Sequence, residues 1–450
     1  MAPSASSHFT SLPARARRTA AAGAAALLAL LAVLVLTAPT AQAATGTTKD
    51  PADAAAGWLA GRMVDGERFE QTSGGQTFAD GGLTLDAVLA FSASGVAGVN
   101  AAKAMTWIAK PANLSGYIGD GGTESYAGAL AKLSLTAQVR GLDPTSFGGV
   151  DLITRLRGQQ AASGRISDRS AYGDFSNGFS QSLAVLALVR TPAGAPKTAV
   201  DYLAGTECPT GGFPLTLEAT PCVAESDATA LVVQALLAAG RTEAAQRGLG
   251  WLATQQKPDG GFGGSGPTAA TNANSSGLAA QALRVGGRDK AADRAVAYLL
   301  SLQVGCAAPA DRRGAIAYDA KGFDPATAPR ATAQAILGLV GVGFATLDGT
   351  GTAADAPVLA CAKPTSTATP TTPTATPTTP ARTTTPPVPT GTPPSTSQAA
   401  AALTTAPPAA GGPLAGTGAN VRPVVWLGLV LVTAGTVLLV AVRRRPASSP

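Results

Sequence analysis

Acidic, amide and aromatic side chains gather just before several apolar, helix-forming stretches of the chain. The acidic and amide residues are Asp80, Glu124, Asp174, Asn177, Glu225, Asp227 and Asn272 with Asn274. The aromatic residues nearby are Tyr126, Tyr172, Phe175 and Tyr318. Carboxylate and amide oxygens accept hydrogen bonds and aromatic rings offer stacking faces, so the group predicts a site for a polar ligand. The alternative is N-capping, because Asp, Asn and Glu at a helix start bind its free N–H groups.

Histidine chemistry is excluded by composition. The only histidine in 450 residues is His8, which lies in a segment that we expect to be removed. A Ser-His-Asp triad, a Cys-His pair, a His-ligated zinc ion and a histidine general base are therefore excluded from the mature chain. We predict no catalytic residue and no metal site from the sequence alone.

The N-terminus predicts export. Arg15, Arg17 and Arg18 precede the apolar stretch 19–37, and Ala41-Gln42-Ala43 follows it. This order is typical of a signal peptide at residues 1–43, with an uncleaved signal anchor as the alternative. In an oxidising compartment the four cysteines predict two disulfides, Cys208–Cys222 and Cys306–Cys361.

The C-terminus predicts anchoring. Residues 363–413 are rich in Thr and Pro and indicate an extended linker. Residues 414–450 contain an apolar run at 424–442, long enough to span a membrane, and a basic tail that holds its end in the cytoplasm. Without the seven arginines of both ends the chain has 26 basic and 27 acidic residues, which argues against a nucleic-acid partner.

The pentapeptide before the apolar run is Leu414-Ala415-Gly416-Thr417-Gly418. With the run and the basic tail, it resembles the Leu-Ala-x-Thr-Gly type of sortase sorting signal of high-GC Gram-positive bacteria. The resemblance implies cleavage after Thr417 by a sortase, attachment to peptidoglycan and an extracellular, cell-wall location. A plain membrane anchor is the alternative.

Residues 44–362 contain a repeat. An aromatic or equivalent residue followed by an aliphatic one recurs at Trp58, Trp107, Arg155, Tyr202, Trp251 and Tyr298, with spacings of 49, 48, 47, 49 and 47 residues. A second, nearly all-apolar stretch opens near Thr84, Ala127, Ser180, Thr229, Ser276 and Thr332. Each unit therefore predicts an amphipathic outer helix and a buried inner helix. Six such hairpins predict an all-α toroid of twelve helices around a cavity. Closing the ring covers the apolar faces that the first and last units would otherwise expose.

The fifth unit, with Gln256, Gly260 and Phe262, resembles the glutamine and aromatic repeat of the prenyltransferase and squalene oxidase repeat superfamily, the α/α toroids. The resemblance implies a toroid but no chemistry. Triterpene cyclases need an Asp-x-Asp-Asp acid cluster, and prenyltransferases need a His-containing zinc site or Asp-Asp-x-x-Asp. The mature chain has none of these motifs.

Three functions remain open. The first, which we favour from the sequence, is a wall-anchored protein that captures a small ligand. Secreted toroids include cobalamin carriers, so a corrinoid is one candidate, with a lid protein or membrane transporter as partner. The second is an enzyme of the cyclase or glycan-acting type, and the third is a structural or adhesive module. A cavity lined with unpaired polar groups would favour ligand capture, and an apolar, plugged centre would favour the structural module. Two close carboxylates with one desolvated would favour the enzyme.

Overall fold

The computed structural model describes residues 46–362, which contain thirteen α-helices. Six of them form an inner ring: α2 (Gly81–Ser94), α5 (Ala127–Val139), α7 (Gly178–Val189), α9 (Ser226–Ala238), α11 (Ala273–Val285) and α13 (Ala328–Val340). Each inner helix packs against the next in this order, and α13 packs against α2. The inner ring is therefore closed.

Seven helices surround this ring: α1 (Pro51–Ala60), α3 (Gly98–Ile108), α4 (Pro111–Ile118), α6 (Leu152–Arg157), α8 (Lys197–Gly205), α10 (Thr242–Thr254) and α12 (Asp289–Ser301). Helix α1 completes the outer layer because it packs against both α2 and α13. This double ring is the architecture of an α/α toroid. The expected twelve helices become thirteen because Pro111, at the first position of α4, starts a new helix directly after α3.

The described residues also contain four short strands, which the all-α prediction omitted. Strands β1 (Thr47–Thr48) and β4 (Val358–Leu359) pair in parallel, and β2 (Glu70–Ser73) pairs with β3 (Gln76–Ala79) as an antiparallel hairpin. The first pair joins the two ends of the toroid.

The two sequence landmarks fall on the two layers as predicted. Trp58, Trp107, Arg155, Tyr202, Trp251 and Tyr298 all lie on outer helices. The hydroxyls of the inner-helix residues Thr84, Thr229, Ser276 and Thr332 accept hydrogen bonds from the N–H groups of Phe69, Phe213, Phe262 and Ile316, at 2.9, 2.8, 2.9 and 2.9 Å. This repeated bond holds each incoming turn against the buried inner helix that follows it.

Glycines permit the turns between outer and inner helices. Gly164 and Gly260 have φ angles of +95° and +90°, which disfavour residues with a Cβ. A Cβ at these positions would also lie 2.0 Å from Thr198 O and 2.6 Å from Arg294 O. In the second unit the predicted turn glycine, Gly116, lies inside α4 instead.

Residues 341–357 cross the C-terminal ends of the inner helices. Gln281 of α11 donates to Val342 O at 2.7 Å, and Arg190 at the end of α7 donates to Phe344 O at 2.9 Å. Further along, Gly349 N donates to Val139 O of α5 at 2.8 Å. We call residues 341–357 the sealing segment.

The sealing segment is packed rather than laid on the surface. Its Phe344 and Leu347 side chains are buried in the core. The segment then reaches α1, where Gly57 leaves no room for a Cβ against Pro357 O, at 1.7 Å. The C-terminal mouth of the ring is therefore covered by the chain itself. We call the other mouth, at the N-terminal ends of the inner helices, the N-terminal mouth.

Both predicted disulfides are confirmed, since Cys208 is bonded to Cys222 and Cys306 to Cys361. No helix among residues 46–362 is long and apolar enough to cross a membrane. The predicted signal peptide (1–43), the linker (363–413), the sorting signal and the transmembrane segment 424–442 lie outside the described residues.

Candidate functional site at the N-terminal mouth

Several predicted site residues cap inner helices. Asp80, Asn177, Glu225 and Asn272 accept hydrogen bonds from first-turn N–H groups at 2.8, 3.0, 2.7 and 2.9 Å. Capping satisfies N–H groups that have no partner within a helix. Capping explains why an Asn stands at position 177. Capping and the ion pair with Arg330, described below, explain the Asp at position 80, so neither residue requires a ligand.

Asp174 organises the loop before α7. Its carboxylate accepts hydrogen bonds from Asp168 N at 3.0 Å and Ser176 N at 2.9 Å, and pairs with Arg165 at 2.9 Å. Asp168, which sequence analysis missed, accepts from Ala127 N of α5 at 2.7 Å and from Phe175 N at 3.1 Å. These bonds fix the loop over the N-terminal ends of α5 and α7.

The same loop carries the two predicted rim aromatics. Tyr172 and Phe175 are 44% and 61% exposed, so much of each residue is open to solvent. Glu124 lies beneath the loop and accepts from Ala171 N at 3.0 Å. Burial raises the pKa of Glu124, but hydrogen bonds from Ser170, Ala171 and Tyr126 outweigh burial and leave it below its usual value. Glu124 therefore acts as an ionised anchor for the loop.

A buried ionic network closes the ring between α13, α2 and α5. Arg330 donates to Asp80 at 2.8 Å and to Asp86 at 3.0 Å, and Lys132 donates to the second oxygen of Asp86 at 2.7 Å. Asp86 and Lys132 have side chains 7% and 2% exposed. Two cations balance two anions, so this side of the mouth is neutral. Apart from Asp80, sequence analysis missed these residues because they lie inside apolar stretches.

The opposite side of the mouth has carboxylates without a cation. Glu225 caps α9 and Asp227 is the second residue of that helix, while Asn274 is the second residue of the adjacent α11. Their exposed fractions are 4%, 1% and 8%. Glu225 Oε1, Asp227 Oδ1 and Asn274 Oδ1 have no hydrogen-bond partner. Buried acceptors without donors are rare in folded proteins, so these three, at the starts of two adjacent inner helices, form the candidate site. Glu124 Oε2, just before α5, is a further buried oxygen without a partner.

The two carboxyl groups lie side by side under a glycine. Glu225 Oε1 and Asp227 Oδ2 are 2.9 and 3.1 Å from the position that a Cβ on Gly264 would occupy. Gly264 belongs to the turn between α10 and α11, so this turn covers the pair. Any side chain at position 264 would press on both carboxyl groups.

Burial and proximity disfavour ionisation of this pair. Burial raises the pKa of Glu225, and burial together with the neighbouring Glu225 carboxyl raises the pKa of Asp227 well above its usual value. Two adjacent carboxyls in a low-dielectric site disfavour a state in which both are ionised, so both raised pKa values have the same origin.

Two neighbours complete the site. The Asn272 amide donates to the Ser275 hydroxyl at 3.1 Å, and Ser275 is close enough to Asp227 to lower its pKa slightly against the effect of burial. Tyr318 accepts from Ala273 N at 2.7 Å through its carbonyl. Burial, followed by the charges of Asp227 and Asp319, raises the pKa of Tyr318, so its hydroxyl is within electrostatic range of Asp227.

Grooves elsewhere lack these features. A groove of about 470 Å³ lies beside α3 and is lined by Met105, Arg140 and Phe147, and one of about 500 Å³ lies between the ends of α7, α8 and α9. Within residues 46–362, no group of three or more His, Cys, Asp or Glu side chains could hold a metal ion.

Comparisons with known proteins give similar folds only. No protein-family model and no curated protein matches the chain. Among solved structures, a protein from Actinoplanes is 17% identical, with a TM-score of 0.49 over 65% of this chain and 99% of that chain.

Two enzymes are also similar in structure. Type II terpene cyclase MstE from Scytonema is 13% identical, with a TM-score of 0.48 over 64% of this chain and 96% of that chain. Unsaturated glucuronyl hydrolase from Bacillus sp. GL1 is 11% identical, with a TM-score of 0.46 over 64% and 95%. At this level the likenesses transfer no activity, and the toroid rests on the closed double ring described above.

Proposed function

We propose that the toroid is an extracellular enzyme that uses the Glu225–Asp227 pair as a general acid. The observation that carries the proposal is that these two carboxyls are buried side by side with unpaired oxygens and no cation. Perturbed, desolvated acid pairs of this kind are typical of catalytic sites. The sequence favoured ligand capture over catalysis, and this pair reverses that preference.

Asp227 is the proton donor in this proposal. Its pKa is raised well above the usual value, which favours the protonated form that a general acid requires. When Asp227 gives up its proton, the pair holds two negative charges in a buried site and regains a proton readily. Asn272 and Ser275 orient the acid.

Substrate reaches the pair from the N-terminal mouth. The sealing segment covers the other end of the ring, and residues 263–271 cover the carboxyls. This turn is rich in glycine and is tied down mainly by the Asn272 amide, which donates to Thr268 O at 3.1 Å and Ala270 O at 3.0 Å. Displacement of the turn opens the pair to substrate.

The enzyme acts at the cell surface in this proposal. The signal peptide, the Thr/Pro linker and the Leu414–Gly418 sorting motif support export, sortase cleavage and attachment to peptidoglycan. Two disulfides are compatible with an extracellular location.

Ligand capture without turnover is the second candidate. The unpaired Asn274 oxygen favours it, because a bound ligand with hydrogen-bond donors would satisfy it without any reaction. A corrinoid ligand, a lid protein and a transporter partner stay predictions.

The test uses mature protein, released from host walls by muralytic digestion, and fractionated host envelope extracts. Products are detected by mass spectrometry for the wild type, Asp227→Asn and Glu225→Gln, with the exposed Asp311→Asn as the matched control. We expect a product that both site variants lose and the control retains. An unchanged product with Asp227→Asn would refute the acid role, and a ligand that all four proteins retain intact would favour capture.

A further inference from the structure

We infer that the site at Asp227 takes a sugar unit rather than an isoprenoid hydrocarbon. This inference rests on the proposed function and names its substrate class. Three features around the acid carry it: unpaired acceptor oxygens, the strength of the acid and a nearby aromatic residue.

The unpaired acceptor oxygens favour a substrate that carries hydrogen-bond donors. Asn274 Oδ1 and Glu225 Oε1 are buried beside Asp227 and have no partner. A hydrocarbon would exclude water from these oxygens and leave them unsatisfied, which is unfavourable. Hydroxyl groups supply the missing donors. A ligand with hydroxyls on neighbouring atoms therefore fits the site where a polyene does not.

The acid is also of the wrong strength for a hydrocarbon. Protonation of an alkene needs a strong acid, whereas burial raises the pKa of Asp227 and makes it a mild donor. A mild acid suits protonation of an oxygen. At a glycosidic link, Asp227 gives its proton to the bridging oxygen and the C–O bond breaks with its electron pair on that oxygen. Water then adds its hydroxyl to the carbon and returns a proton to the pair.

An aromatic face completes the match. Tyr318 is within electrostatic range of Asp227, and its carbonyl accepts a hydrogen bond from Ala273 N, the first residue of α11, at 2.7 Å. An aromatic ring packs against the C–H face of a sugar while the sugar hydroxyls point to polar neighbours. In this inference Asp227 contacts the glycosidic oxygen, the unpaired acceptors bind the hydroxyls and Tyr318 packs against the C–H face of one pyranose.

The neutral side of the mouth does not compete for these hydroxyls. The oxygens of Asp86 are taken by Lys132 and Arg330 at 2.7 and 3.0 Å. Arg330 also occupies Asp80. The unpaired acceptors at the start of α9 and α11 therefore remain for a ligand, together with Glu124 Oε2 just before α5.

The test measures binding of three probes to the mature protein by calorimetry: an N-acetylglucosamine tetramer, the peptidoglycan disaccharide and farnesol. We expect a saccharide to bind and farnesol not to bind. Asn274→Leu should weaken saccharide binding by about tenfold, as expected for one lost hydrogen bond, and Asn274→Ser should restore part of it. Melting temperatures of both variants check that they fold.

Binding of farnesol with no response to either saccharide, or no binding of any probe, would overturn the inference. If Asp227→Asn nevertheless loses its product in the envelope-extract assay, the acid role of Asp227 is retained and its substrate is of another class. Saccharide binding together with unchanged turnover by Asp227→Asn would instead refute the acid role. An Asn274→Leu variant that folds and binds saccharides as tightly as the wild type would overturn the assigned site.

Discussion

Replacing Asp227 with Asn should stabilise the protein, and the gain should depend on pH. The wild-type carboxyl is 1% exposed and one of its oxygens has no partner. A buried polar group without a partner costs about 1–3 kcal/mol, and more when it is charged. Asn cannot ionise, so Asp227→Asn avoids the cost of either keeping the proton or burying the charge, and it should raise the free energy of unfolding at pH 8 by about 1.4 kcal/mol for each unit by which the fold raises the pKa of Asp227.

The direction of the pH dependence follows from the raised pKa. The folded protein holds the Asp227 proton at pH values where the unfolded chain, with an ordinary pKa near 3.8, has lost it. Wild-type stability therefore falls as pH rises from that value through the folded-state pKa, and stays reduced above it. The advantage of Asp227→Asn should be near zero at pH 3 and grow to its full size by pH 8.

Urea titrations at several pH values measure this difference. Asp143→Asn is a control of opposite sign, because hydrogen bonds from Thr145 and Ser146 lower the pKa of Asp143. The stability that Asp143 contributes is present above its ordinary pKa and lost as pH falls. A stability difference for Asp227→Asn that did not change with pH, or a loss of stability at pH 8, would show that this carboxyl is not buried without a partner.

Four further substitutions test the ring, the repeat and the anchor. Arg330→Met leaves two buried carboxylates with one fewer cation, so it should destabilise the protein by about 3–5 kcal/mol in urea titrations. Gly212→Ala places a Cβ 2.5 Å from the Trp251 ring and should lower the melting temperature, whereas Gly250→Ala, with open space in α10, should raise the free energy of unfolding by about 0.5–1 kcal/mol. Thr417→Ala should move the protein from the wall fraction to the membrane fraction, and an unchanged distribution on immunoblots would contradict sortase attachment.

Much of the toroid could be predicted from local patterns. The aromatic residues that start each unit mark outer helices, and hydroxyl residues such as Thr229 mark inner ones, because each interacts with its own hairpin. The extra helix α4 was not predicted, since the spacing of Gly116 matched the turn glycines of other units. Periodicity identifies repeats but not a helix inserted within one.

The candidate site was predicted only in part. Glu225, Asp227 and Asn274 were among the polar residues singled out, but nothing local distinguished them from capping residues such as Asn177. What separates them is the absence of a partner, which depends on the whole ring. Arg330, which neutralises the opposite side, pairs with a carboxylate 244 residues away in the chain, and no local pattern reveals such a pair.

The Cys306–Cys361 disulfide determines how the toroid bears mechanical tension. A pull between the two ends of the described region passes through Cys306 to Cys361 and bypasses the residues between them. Helix α13 and the sealing segment lie inside that covalent loop, so they carry no load. A toroid held on a stalk in flowing liquid would keep its ring closed while the bridge is intact.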